Sequence, residues 1–91
     1  MHIFDFKNQT AVITGGAQGF GLDVAKRFLE SGCNVFIWDI DENLLKKRID
    51  EINNPNLNYN VVDVSNYSEV EKIVSQITSK NKIDILINNA G

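Results

Sequence analysis

Four short apolar runs in this chain alternate with three stretches whose apolar residues recur at helical spacing. The runs are TAVIT (Thr10–Thr14), NVFIW (Asn34–Trp38), YNVVDV (Tyr59–Val64) and IDILIN (Ile83–Asn88). Each is short and rich in β-branched or aromatic residues, as buried strands are. Between them Leu22, Ala25, Phe28 and Leu29, then Leu45, Ile49 and Ile52, then Val70, Ile73, Val74 and Ile77 each mark one face of a helix. The punctuation agrees with this reading. Gly15-Gly16 ends the first strand, Ser31-Gly32 stops the first helix, and NNPNLN with the single proline, Pro55, is the clearest loop. Asp41 is the expected cap of the second helix. Ser65 or Ser68 is the expected cap of the third, with Ser68 and Glu71 at capping-box spacing.

Strands separated by single helices need crossover connections, and these are right-handed and join parallel neighbours. The expected fold class is therefore α/β: a βαβαβαβ unit with a parallel sheet between helices in a three-layer α/β/α arrangement. This is the first half of a doubly wound, Rossmann-type fold. Uniformly apolar strands are expected, because such a sheet is covered on both faces. Ninety-one residues allow one domain at most, and no linker, internal repeat or low-complexity segment divides them.

Composition narrows the function. The formal charge is −3 with acids and bases interspersed, so no basic patch marks a partner among nucleic acids or anionic membranes. No apolar run approaches the length that spans a bilayer, and the N-terminus lacks the pattern of a signal peptide. One cysteine, Cys33, precludes an intrachain disulfide and suits a reducing compartment; it reads as a small buried apolar residue. His2 stands alone, and no metal site is expected. A cytoplasmic protein is the default expectation.

Four of the six glycines fall in the segment Thr14-Gly15-Gly16-Ala17-Gln18-Gly19-Phe20-Gly21, directly after a strand and opening a helix. The first N–H groups of a helix have no internal partner and carry partial positive charge, so this position suits an anion. Gly15 would turn the chain, Gly19 would allow close approach of a diphosphate, and Gly21 would let helix and strand pack tightly. An acid ending the second strand strengthens the reading, because a carboxylate accepts from both hydroxyls of an adenosine ribose. Asp39 stands there, eighteen residues after Gly21. The competing role for Asp39 is helix capping, for which Asp41 is also available. Trp38 reads as core.

With these residues in place, the sequence resembles the short-chain dehydrogenase/reductase family. TGGAQGFG has that family's Thr-Gly-x-x-x-Gly-x-Gly form, Asp63-Val64 resembles its pair after the third strand, and NNAG (Asn88–Gly91) resembles its signature after the fourth. The resemblance covers nearly the whole chain. It implies that Gly15, Gln18, Gly19, Phe20 and Gly21 line the diphosphate and ribose side of a dinucleotide. It further implies that Asp39 and Ile40 meet the adenosine ribose, Asp63 and Val64 the adenine edge, and Asn89, Ala90 and Gly91 the nicotinamide ribose. Asp63 has helix capping as an ordinary alternative, and Asn89 has the stitching together of neighbouring backbones. Asp84 reads as solvated and without a role.

The family resemblance also implies a 3-2-1-4 strand order, with IDILIN at an edge and self-association through that edge expected. The family's serine and its tyrosine–lysine pair, four positions apart, lie beyond its fourth strand. Here Tyr59 is followed at that spacing by Asp63 and Tyr67 by Glu71, and neither acid would lower a tyrosine pKa. The expectation is thus an NAD-binding N-terminal portion of an oxidoreductase acting on a hydroxyl/carbonyl pair. NAD is favoured over NADP because Asp39 would face a 2′-phosphate and neither Gln18 nor Ile40 is basic. Turnover from these residues alone is not expected. Two other readings stay open: a non-catalytic nucleotide-binding module or remnant, and a methyltransferase, against which NNAG and the loop spacing argue.

Overall fold

A computed structural model describes residues 7–89. The element order is β1 (Thr10–Thr14), α1 (Gly19–Glu30), β2 (Asn34–Asp39), α2 (Glu42–Ile52), β3 (Leu57–Val61), α3 (Tyr67–Thr78) and β4 (Ile85–Asn88). All strand pairs are parallel and the sheet order is β3-β2-β1-β4, a Rossmann-like arrangement. Register brings Ala11 beside Val35 and Ile85, and Val35 beside Leu57.

Because side chains alternate across a strand, each strand feeds two cores. Ala11, Ile13, Val35, Ile37 and Leu57 face the side covered by α1 and α2, where they meet Ala25, Leu29, Cys33 and Leu45. Val12, Phe36 and Trp38 face the other side, where α3 supplies Val70, Ile73, Val74 and Ile77. Trp38 and Cys33 are buried apolar residues, in line with their sequence reading. Ile13, Ile37 and Leu45 are fully buried, and losing the Leu45 side chain to alanine would cost about 2–5 kcal/mol.

Each helix end has a local cause. At the end of α1, Gly32 has φ +86°; its N–H donates to Leu29 O at 3.0 Å and that of Cys33 to Phe28 O at 3.0 Å, which closes a Schellman motif. Asp41 caps α2 by accepting from Leu44 N at 3.1 Å, and Asn53 ends that helix in a left-handed conformation. The cap of α3 differs from expectation. It is Asn66, whose Oδ1 accepts from Glu69 N at 3.2 Å, and neither Ser65 nor Ser68 serves. Asn66 has the extended backbone that a cap needs, whereas Ser68 already lies inside the first turn.

Three further expectations are corrected. β3 runs over Leu57–Val61 instead of Tyr59–Val64, because its partner β2 ends at Asp39 opposite Val61 and leaves Asp63 and Val64 nothing to pair with. β4 begins at Ile85 instead of Ile83, opposite Ala11. Uniform burial holds for β1 alone; β2 is half-buried at Asn34, Phe36 and Asp39, and the two edge strands depart furthest. There, Asn60 Oδ1 accepts from Trp38 Nε1 at 3.1 Å, and Asn58 Nδ2 donates to Asn34 Oδ1 at 3.0 Å. Leu86, on the α3 side of β4, is 63% exposed.

Candidate functional site

In a parallel sheet all strands point the same way, so the segments following β1, β2, β3 and β4 gather at one end. That end carries the glycine loop, Asp39-Ile40, Asp63-Val64 and Asn89. Ala90 and Gly91 lie outside the described residues.

The loop is held by three different elements at three successive residues. Asn89 Nδ2 donates to Gly15 O at 3.2 Å, Gly16 N donates to Trp38 O at 3.1 Å, and Arg48 Nε donates to Ala17 O at 2.7 Å. Two of its glycines are steric necessities. A Cβ on Gly16 would stand 2.7 Å from Ile37 Cβ, and one on Gly21 would overlap the Gly15 carbonyl oxygen. Gly21 thus serves close packing, as expected. Gly15 and Gly19 have φ of +63° and +60°, and a Cβ on Gly19 would meet nothing within 4 Å. Gly19 therefore borders open space.

The start of α1 differs from those of its neighbours. Gln18, its N-cap, is extended and makes no side-chain cap bond, and the first turn holds no acid. α2 and α3 each have a side-chain cap and a first-turn glutamate, Glu42 and Glu69. Leu22 N reaches Gln18 O at 3.4 Å. The N–H groups of Gly19, Phe20 and Gly21 precede the first internal helix bond and stand at the positive end of the helix dipole.

Asp39 ends β2 half-buried, with Oδ1 accepting from Ile40 N at 2.8 Å and Asp41 N at 3.2 Å. It does not cap α2; Asp41 does. Asp63 lies in the turn after β3, where Oδ1 accepts from Ser65 Oγ at 2.6 Å and Ser65 N at 2.9 Å. These bonds hold its carboxyl below the ordinary carboxylate range, and it does not cap α3. Phe20, Ile40 and Val64 are apolar yet exposed at this same end of the sheet.

Asn89 performs the stitching that sequence reading named as its alternative role. Its backbone N–H donates to Thr14 Oγ1 at 2.9 Å while its side chain holds Gly15. Asp84 is corrected: exposed but not idle, it accepts from Thr10 N through Oδ2 at 2.9 Å and donates its own N–H to Thr10 O at 2.9 Å, extending the β1–β4 ladder. Sequence reading missed two contributors. Thr14 was legible as the polar residue closing an apolar strand, but Arg48 acts across 31 positions and carries no local signal.

An apolar cavity of about 580 Å³ opens on the other side of β1 and β4, lined among others by Val12, Trp38, Val70, Val74, Ile83 and Leu86. Thr14 and Val64 also line it, but no residue from Gly15 to Gly21 does. Among the described residues no cluster of histidine, cysteine or acidic side chains could hold a metal, and no helix is long and apolar enough to cross a membrane.

The family model for short chain dehydrogenases matches residues 9–91. A short chain dehydrogenase/reductase of Gibberella zeae, dpfgG, is 44% identical over 84 residues, which are 90% of this chain and 31% of that protein. The 3-oxoacyl-[acyl-carrier-protein] reductase FabG of Chlamydia pneumoniae is 40% identical over 88% of this chain and 34% of its own length. The crystal structure of a short chain dehydrogenase from Bacillus anthracis superposes with a TM-score of 0.89 at 36% identity, over 94% of this chain and 36% of that one. The chain therefore spans about a third of the length of the relatives it matches.

Proposed function

This chain belongs to the short chain dehydrogenase family, and on that premise we propose that residues 1–91 are the N-terminal, dinucleotide-binding portion of an oxidoreductase, with NAD as the cofactor. One observation carries the reading: the α1 N-terminus lacks both a capping side chain and a first-turn acid, and it opens beside a glycine against which nothing packs. Such an end leaves donors for an anion that other residues do not occupy.

The residues divide the ligand among them. Gly15, Gln18, Gly19, Phe20 and Gly21 take the diphosphate and its ribose, with Gly19 permitting close approach. Asp39 and Ile40 take the adenosine ribose; Asp39 Oδ2 makes no hydrogen bond among the described residues and is the oxygen assigned to the hydroxyls. Asp63 and Val64 take the adenine edge, Val64 offering exposed apolar surface. Asn89, Ala90 and Gly91 serve the nicotinamide side, Asn89 chiefly by fixing Gly15. When bound, NAD supplies the hydride acceptor, and the protein supplies binding and orientation. The parent activity is oxidoreduction of a hydroxyl or carbonyl substrate.

Calorimetric titration with NAD and NADP tests the reading. Saturable NAD binding, tighter than NADP, is expected; an absence of heat with both cofactors, confirmed by an unchanged unfolding midpoint, overturns it. A general base contributes about 10²–10⁴-fold to such a reaction. Neither Tyr59 nor Tyr67 has a lysine four positions on, so the 91 residues are expected to show no NADH turnover with alcohols or ketones.

A further inference from the structure

We propose that Arg48, on α2, is a positioning residue for the diphosphate cradle, acting through the Ala17 carbonyl; the proposal rests on the dinucleotide reading above. Arg48 lies in the second half of α2 and is not among the residues that resemble the family's motifs. Its guanidinium nonetheless reaches the loop, with Nε donating to Ala17 O at 2.7 Å while Nη1 donates to Glu51 Oε1 at 2.7 Å.

The consequence follows from peptide geometry. A trans peptide is planar, with its C=O and N–H directed to opposite sides. Holding the Ala17 oxygen toward α2 turns the Gln18 N–H away from α2, at the residue that precedes the unfilled turn of α1. Ala17 is fully buried, so its carbonyl could not exchange this donor for bulk water without the loop moving. A charged donor on the carbonyl also polarises the peptide and strengthens the N–H on its far side.

Three anchors then act in sequence. Asn89 holds Gly15, the β2 carbonyl of Trp38 holds Gly16, and Arg48 holds Ala17; the next residue begins the cradle. Arg48 is the only side chain of α2 with a hydrogen bond to this loop among those described. The two donors it uses diverge from one rigid plane, which an ammonium does not reproduce. Glu51 holds a second nitrogen of that plane, and the pairing holds the Glu51 carboxyl below its ordinary range. The pair is also locally neutral, so Arg48 acts through orientation and not by attracting phosphate.

Calorimetry of NAD, NADP and adenosine with the unsubstituted chain, Arg48→Met, Arg48→Lys and Glu51→Gln tests this. Losing a charge-assisted hydrogen bond predicts about tenfold weaker NAD binding in Arg48→Met. NADP is expected to weaken by the same factor, and adenosine, which lacks the diphosphate, by less than about twofold. Arg48→Lys keeps the charge and is expected to recover only part of the loss; Glu51→Gln, which leaves Arg48 in place, should show a smaller loss than Arg48→Met. The Gln18 amide resonance of the unliganded chain should shift in Arg48→Met, as the Ala17–Gln18 peptide loses its donor, while those of Val12 and Ile37 stay in place.

Unchanged NAD affinity in Arg48→Met, or equal losses for NAD and adenosine, would overturn the proposal. So would a loss confined to NADP, which would mark Arg48 as a phosphate contact instead. Failure of the unsubstituted chain to bind NAD would refute the dinucleotide reading, and the proposal with it. That outcome is distinguishable from an Arg48 effect that fails to appear in a chain that binds.

Discussion

Asn89, the residue after β4, donates from Nδ2 to the carbonyl of Gly15, the residue after β1, at 3.2 Å, and from its backbone N–H to Thr14 Oγ1 at 2.9 Å. The edge strand β4 is thus clasped to its neighbour β1 at the end where the glycine loop begins. The clasp leaves no room on α1: a Cβ at Gly21 would stand 2.8 Å from the same Asn89 nitrogen.

The two glycines of this helix start should therefore respond differently to alanine. Gly21→Ala forces the helix away from Gly15 and Asn89, an overpacking that costs about 1–3 kcal/mol and opens the cradle. Gly19→Ala meets open space and carries chiefly the penalty of a positive φ, about 1 kcal/mol. Urea unfolding should show the larger loss for Gly21→Ala. NAD titration should show weakened binding in both, in Gly19→Ala because its methyl occupies the space assigned to the ligand.

Cofactor choice should turn on Asp39. Hydrogen bonds to a charged group are worth about 1.5–3 kcal/mol, so Asp39→Ala should weaken NAD binding by about ten- to a hundredfold. NADP binding should weaken less or improve, because the variant removes the like charge. Parallel titrations measure both; an unmutated chain that preferred NADP would show the ribose assignment to be wrong.

Cys33 is fully buried, and burial pushes its thiol pKa up from 9.0. The unfolded thiol ionises first as pH rises, so the folded state binds the extra proton. Stability contributed here is present below pH 9.0 and is lost as pH climbs through the higher folded value. Asp63 runs the other way: its lowered pKa contributes stability that is lost as pH falls from 3.8 toward the folded value. Thermal unfolding at stepped pH should show both limbs. A thiol reagent at pH 8 should label the native chain far more slowly than the urea-unfolded one.

β4 pairs with β1 on one side only among the described strands, and Leu86 and Ile83 border an apolar cavity on its α3 face. An unpaired apolar edge is a template for association. The 91-residue chain should self-associate, with light scattering rising with concentration. Leu86→Lys, on an exposed position, should reduce the effect without lowering the unfolding midpoint. A strictly monomeric chain across the dilution series would contradict this.

Fold class was legible in the sequence because helix and strand periods are local properties, and four apolar runs separated by three helical stripes leave little choice. Strand order came from the family resemblance, and the sheet has that order. What local reading lost was anything decided across the chain. β3 is placed by where β2 stops, which its own apolar run does not encode. Asp84 binds Thr10 from 74 positions away, and Arg48 reaches Ala17 from α2. The α3 cap was lost for a different reason: Ser65, Asn66 and Ser68 are all capable residues within four positions, and backbone conformation selects Asn66.

The central claim is that the unfilled turn of α1 is a diphosphate cradle, and amide chemical shifts report on it directly. The ¹⁵N-labelled chain, titrated with NAD, should show saturable shifts at Gln18, Gly19, Phe20 and Gly21, with a second set at Asp39 and Ile40. Amides on the far side of the sheet, such as Ile73 and Ile77, should stay in place. Shifts confined to the α3 side, or none at the loop at NAD concentrations that saturate, would contradict the account.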